Sequence, residues 1–213
     1  MNKTKGFLSL LFAGLIFGSF GILVRILNLE LSSFQQIFFR NFVSFLLATL
    51  IIFILKRKVS FKNASLLKIV LFGISLPLTI VFYTLSILKT KIIIAIASLY
   101  IGSIVFSLFL GTVFFKEKIT FQKIISIIFA VIGLIFFASP FSLYSLNIGL
   151  IYGVLSGFMD VTSNSFKKHL SGRIDRFGLI AIQMFGGIII SLILIFKSSS
   201  IGFAFASSQP FRL

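Results

Sequence analysis

The sequence has no cysteine, one histidine and only four acidic residues, against twenty lysines and arginines. Without cysteine there is no disulfide and no thiolate metal site, and one histidine cannot build a metal centre or a catalytic dyad. The acids are scattered along the chain at Glu30, Glu117, Asp160 and Asp175. A membrane enzyme acting on lipids or isoprenoids needs clustered acids or a His–acid pair. We therefore predict that the chain is not an enzyme and needs no cofactor.

Charge of either sign is scarce. Charged residues make up 11% of the chain and hydrophobic residues 58%, a balance that a soluble domain with a polar exterior does not have. Uncharged runs cover 6–24, 69–88, 92–115 and 177–196. Each is close to the roughly 20 residues that cross the ~30 Å hydrocarbon layer as a helix. Continuous apolar runs, without in/out alternation, predict an all-α membrane protein, a polytopic helix bundle.

The apolar pattern predicts seven transmembrane helices. They lie near residues 6–27, 34–55, 66–88, 92–114, 119–137, 148–166 and 178–196. Fourteen of the twenty basic residues then lie on the side of the N-terminus, and four lie on the other side. This positive-inside bias predicts a cytoplasmic N-terminus and a multi-pass protein of the cell membrane, plasma or inner. Because the bases sit at the membrane surface, we expect no nucleic-acid partner.

The chain also matches itself at an offset of 143 residues. The offset places Gly149 on Gly6, Gly157 on Gly14 and Phe177 on Phe34, and the apolar runs coincide as well. A repeat of five helices must enter the membrane from the opposite side the second time, which predicts an inverted repeat. We predict a first repeat over 1–143, two helices of an incomplete second repeat over 144–197, and a non-spanning tail over 198–213.

Two motifs carry a resemblance to a known family. In "FGSFGILVRILNLELSSFQQIFFR", Gly18, Ser19 and Arg40 match a pattern in which Phe17 replaces the usual Trp and Ser33 lies near the usual Pro. The chain therefore resembles the EamA-type permeases of the drug/metabolite transporter superfamily.

The second motif is "KEKITFQKIISIIFAVIGLIF". Glu117, Thr120 and Gly133 match the same family, and Ser126 stands where a first Gly is usual. The resemblance covers residues 6 to about 196. It implies a ten-helix transporter built from two inverted five-helix bundles, with the substrate held between them.

These features predict a secondary transporter of small metabolites that works by alternating access, with protons as candidate coupling ions. The alternative is a transport-inactive truncated fragment, or half of a split transporter whose missing C-terminal helices come from another chain. The expected partners are a small-molecule substrate, the lipid bilayer and, in one alternative, further copies of the chain. A membrane-embedded enzyme is the least favoured reading.

The first candidate site residue is Asp160, thirteen residues into the sixth helix. An ionised carboxylate at that depth costs at least ~2.5 to 3.5 kcal/mol unless it faces water or a partner. Helical spacing places it on a stripe of small and polar residues that comprises Gly149, Gly153, Ser156, Asp160 and Asn164. We predict that Asp160 and Asn164 line a substrate cavity. The alternatives are a structural hydrogen bond to a neighbouring helix, or tolerated decay in a degenerating gene.

The second group of candidates lies on helix 2. Arg40 and Gln36 are one helical turn apart, and together they could bind an anionic group of the substrate. Alternatively, Arg40 pairs with Asp160 or Glu30 and holds helices together. Gln183 occupies the repeat position of Arg40 and is a weaker candidate for the same cavity.

Three further predictions concern packing and a surface charge. A face formed by Gly14, Gly18 and Gly21 is expected to allow close helix contact. Pro77 is expected to kink helix 3 and to free a carbonyl that could face the cavity. Glu117 is predicted to form a loop or helix-cap ion pair.

Overall fold

The computed structural model describes residues 3–57, 59, 61, 64–116, 120–138 and 148–200, and these residues form seven α-helices. The helices are α1 (Lys3–Leu27), α2 (Ser33–Ile54), α3 (Leu66–Lys89), α4 (Ile92–Phe115), α5 (Phe121–Ala138), α6 (Ile148–Leu170) and α7 (Arg176–Ser200). All seven predicted helices are confirmed. The largest differences are at the C-terminal ends of α6 and α7, which run four residues further than predicted.

Five helices are long and apolar enough to cross a membrane: α1, α2, α3, α4 and α7. The chain is therefore a multi-pass, all-α membrane protein. Membrane spanning by α5 and α6 stays a prediction, as do the inverted repeat and its boundaries. In α6 the apolar character is interrupted by Asp160 and by basic residues in the last turn.

Two helix starts are set by local polar residues. Before α2, Ser32 Oγ accepts the N–H of Gln35, and Gln35 Oε1 accepts the N–H of Ser32. This reciprocal capping box satisfies two donors that have no partner inside the helix. Before α7, Asp175 Oδ2 accepts the N–H of Phe177 at 3.0 Å. A carboxylate at a helix N-terminus is also favoured by the helix dipole.

The bundle is held together mainly by α6, which packs against α3 and α4. The contact uses glycines four residues apart, which let helix backbones approach closely. A Cβ on Gly153 would collide with the Ser98 side chain, and one on Gly157 would meet the backbone of Leu99 and Ser103. The predicted cavity stripe is therefore a packing surface at Gly149, Gly153 and Ser156, all of which are buried.

Serine hydroxyls reinforce this packing. Ser86 Oγ donates to the Gly149 carbonyl at 2.7 Å, and Ser156 Oγ donates to the Thr79 carbonyl at 3.2 Å. Both bonds join α3 to α6. In a membrane, such interhelical hydrogen bonds add to van der Waals packing, since lipid supplies no alternative partner.

The second contact across the bundle joins α7 to α2 and α3. Pro77 has no N–H, so the carbonyl of Gly73 loses its partner within α3. A Cβ on Gly186 would collide with that carbonyl oxygen. The Gly186 Cα therefore faces the carbonyl with a hydrogen, in a close backbone contact. The expectation that the freed carbonyl faces the cavity is wrong, because α7 covers it.

Helix α1 packs only near its C-terminal end, where Val24 joins a buried cluster with Tyr83, Ile87 and Ala95. The predicted glycine face is only partly used. A Cβ on Gly21 would meet Ile92 at 2.6 Å, whereas Gly14 and Gly18 have nothing within 4 Å.

A hydrogen bond from Arg25 ties α1 to the end of α3. Its Nη2 donates to the Thr90 carbonyl at 2.6 Å and lies 3.4 Å from the Ile87 carbonyl, so it caps carbonyls at a helix C-terminus. We expect Arg25→Met to lower the free energy of unfolding by about 1–2 kcal/mol. Unfolding in mixed micelles with increasing dodecyl sulfate measures this effect. Arg25→Lys should retain part of the stability, and equal stability of Arg25→Met and the parent chain would contradict the cap.

Candidate functional site

The main concave feature is a groove of about 520 Å³ between α1, α2, α3 and α7. It is lined by Phe20, Phe39, Arg40, Asn41, Val43, Ser44, Ile80 and Met184. The groove is open at its side, since Phe39 and Val43 are 51% and 52% exposed. Its lining is mostly apolar, and Arg40 is the only charged residue in it.

Arg40 is held by two neighbouring helices. Its Nη2 donates to Thr84 Oγ1 of α3 at 2.9 Å, and its Cζ lies 4.8 Å from the centre of the Phe20 ring of α1. The second geometry is a cation–π contact. The Nε atom is buried and has no hydrogen-bond partner. A guanidinium has five N–H donors in a planar fork, so Arg40 keeps donors for a carboxylate or phosphate.

Gln36 lies one turn before Arg40 and is buried. Its Nε2 donates to Asn28 Oδ1 and to the Leu31 carbonyl, so this amide holds the turn between α1 and α2. Its Oε1 is buried without a partner. The structure thus places an unsatisfied acceptor and an unsatisfied donor one turn apart on the same helix.

The predicted structural pairing of Arg40 with Asp160 or Glu30 is not found among the described residues. Arg40 donates instead to the neutral hydroxyl of Thr84. The pairing prediction is wrong because it relied on depth along each helix. Depth does not say which faces of two helices meet.

Asp160 and Asn164 belong to a different place, at the contact of α6 with α4. The Asp160 carboxylate lies within hydrogen-bonding reach of the Ser103 hydroxyl and the Asn164 amide. Ser103 also donates weakly to the Gly157 carbonyl, at 3.4 Å. Asp160 is half-buried and Asn164 is exposed. Neither residue lines the Arg40 groove, so the structure separates these two groups of candidates.

Gln183 is also separate from the Arg40 groove. It is buried in α7, and its Nε2 donates to Ser163 Oγ of α6 at 2.9 Å. This bond joins α6 and α7. Glu117 lies outside the described residues.

The sequence analysis missed Thr84 and Phe20, the two residues that hold the Arg40 side chain. Both types are common in membrane helices, so composition does not single them out. Their only sequence signal is position. Each lies about one turn from the end of a helix that ends on the side where α2 begins, and this brings them to the depth of Arg40.

Comparison with known proteins gives one match. The model of the EamA-like transporter family matches residues 4–139, which is more than half of the chain. No curated protein and no solved structure matches the chain significantly.

Proposed function

Because the chain belongs to the EamA-like transporter family, we propose that it is a secondary transporter of small metabolites that works by alternating access between inverted helical units. Transport needs a polar point of contact inside an otherwise apolar bundle. Arg40 fits this need, as a charge within a membrane helix that faces a groove and keeps unused donors. This observation carries the proposal. The expected location is the plasma or inner membrane.

The groove favours a substrate with an anionic group and an apolar body. The fork of Arg40 suits a carboxylate or phosphate, and the remaining lining residues are mostly apolar. Gln36 and Gln183 are proposed as supporting polar residues along the path. Asp160 and Asn164 are proposed as a second polar contact, on the α4 side of α6.

The test is transport by the purified chain in proteoliposomes. A panel of radiolabelled carboxylates, amines and sugars, with and without a proton gradient, should show accumulation of one anionic class above empty liposomes. Accumulation of cationic or neutral solutes only would contradict the substrate assignment. If no solute accumulates, although the chain is inserted and folded, the transporter proposal fails for this chain alone.

A second candidate is that the chain works as part of a larger assembly, as a homo-oligomer or with helices from another chain. The bare face of α1 favours it. Gly14 has nothing within 4 Å, although its repeat partner Gly157 makes backbone contacts. Because the chain has no cysteine, Gly14→Cys introduces a single thiol in this face. A disulfide-linked species of twice the mass in native membranes would support a homo-oligomer. Its absence under oxidation would exclude self-association through this face.

Asp160→Asn tests the second polar contact. The amide keeps hydrogen bonding to Ser103 but cannot carry charge or exchange a proton. We expect uptake driven by a proton gradient to fall at least about fivefold, which corresponds to about 1 kcal/mol. Yield and helix content should stay unchanged. Uptake with the parent dependence on pH would remove Asp160 from the mechanism.

A further inference from the structure

Two basic loops that are about 110 residues apart in sequence meet at one end of the bundle. The α2–α3 loop contributes Val59 and Ala64 to an apolar cluster, and the α6–α7 segment contributes Leu170 and Ile174. The core of this cluster is nearly inaccessible, with Leu170 at 1% exposure. The two loops therefore do not act as independent tethers, because burial of shared apolar surface holds them against each other.

A second contact supports this union of the loops. A Cβ on Gly178, in the first turn of α7, would lie 2.8 Å from a methyl carbon of Val59. Helices α2 and α7 also pack against each other. The end of α2, where Lys56 and Arg57 lie, is therefore next to the start of α7, where Arg176 lies.

The joined loops carry one sign of charge. Residues 56–68 and 167–176 together contain nine lysines and arginines and one acid, Asp175. That carboxylate accepts the N–H of Phe177, so it is engaged in capping α7. Lys56, Arg57, Lys167 and Arg176 are exposed. We call these four residues the joined basic surface. Lys58 and Lys62 lie outside the described residues and form no part of it.

We infer that the joined basic surface binds the headgroups of anionic phospholipids in the cytoplasmic leaflet. It lies at the ends of membrane helices, where headgroups are the nearest anions. Basic residues at the membrane surface attract anionic lipid by a factor of roughly five each. The apolar cluster beneath the two loops brings these charges together without the entropic cost of ordering free loops.

The test uses the full chain in phosphatidylcholine vesicles that contain traces of spin-labelled phosphatidylglycerol or spin-labelled phosphatidylcholine. Electron paramagnetic resonance then gives the relative association of the two lipids with the protein. Lys56→Gln/Arg176→Gln, with one change in each loop, should lower the preference for phosphatidylglycerol at least about threefold. The matched control is Lys89→Gln/Lys91→Gln at the opposite end, which should lower it by less than about 1.5-fold.

Equal losses in the two double variants, or no preference in the parent chain, would overturn the inference. Inorganic phosphate at matched ionic strength distinguishes the sources of the anion. If phosphate abolishes the preference and chloride does not, the surface binds free phosphate and the lipid assignment is wrong.

The role of the joined geometry has its own variant. Gly178→Leu should push Val59 away from α7 while leaving every charge in place. We expect a loss of preference for phosphatidylglycerol of at least about twofold, with helix content unchanged. If a folded Gly178→Leu protein keeps the full preference, the charges act separately and the joining of the loops is irrelevant.

Discussion

Gly157→Ala should destabilise the folded chain by about 3 kcal/mol, at the upper end of the range for overpacked interiors. Its new methyl group would point at the backbone of α4, with Ser103 N at 2.5 Å and Gly102 C at 2.8 Å. Backbone atoms of a packed helix cannot rotate away as a side chain can. To accommodate the methyl group, α6 would have to move off α4, and this would also stretch the hydrogen bond from Ser103 to the Gly157 carbonyl.

The chain provides a matched control for this substitution. Gly14 occupies the repeat position of Gly157 but has no neighbour within 4 Å. Gly14→Ala should therefore leave stability unchanged or slightly higher, because alanine is the better helix former. Thermal unfolding in detergent, followed by circular dichroism and by size-exclusion chromatography, measures both variants. A Gly157→Ala protein as stable as Gly14→Ala would show that α6 and α4 are not in backbone contact.

Arg40→Gln should reduce uptake of the transported anion at least about tenfold, because a hydrogen bond to a charged group contributes about 1.5–3 kcal/mol. Glutamine keeps polarity and much of the length of the side chain but removes the charge and the planar fork. Arg40→Lys should be intermediate, because it keeps the charge as a single point donor. The measurement is the initial rate of uptake in proteoliposomes over a range of concentrations of the substrate that the panel identifies.

Thr84→Val separates a direct role of Arg40 from a structural one. The substitution removes the hydroxyl to which Arg40 donates at 2.9 Å but leaves the charge in the groove. If Arg40 acts on the substrate, Thr84→Val should retain most of the uptake that Arg40→Gln loses. If both variants lose uptake equally and both unfold at lower temperature, Arg40 is a structural link between α2 and α3.

The positions of the helices could be predicted from the sequence because of the solvent. Lipid offers no hydrogen bonds to the backbone, so a continuous apolar run of about 20 residues has to satisfy its own amides as a helix. All seven predicted helices are present, and α3 begins and α4 begins at the predicted residues. The family could also be predicted, because its motifs are short and local.

The partners of individual side chains could not be predicted in this way. Gly14 and Gly157 have the same place in the repeat, yet one is bare and the other is pressed against α4. Arg40 was expected to meet an acid, and it meets Thr84 and Phe20. Asp160 was expected in the same cavity as Arg40, and it lies at the α4 side of α6.

The sequence by itself determined that this chain is a bundle of apolar helices of one transporter family, since hydropathy and motifs are local properties. The tertiary structure alone decided which helix faces meet, where the groove opens, and that two distant basic loops lie together. The reason is that a helix presents a different set of side chains every 100° of rotation. The rotation of each helix is set by close packing against its neighbours, a property that no single segment contains.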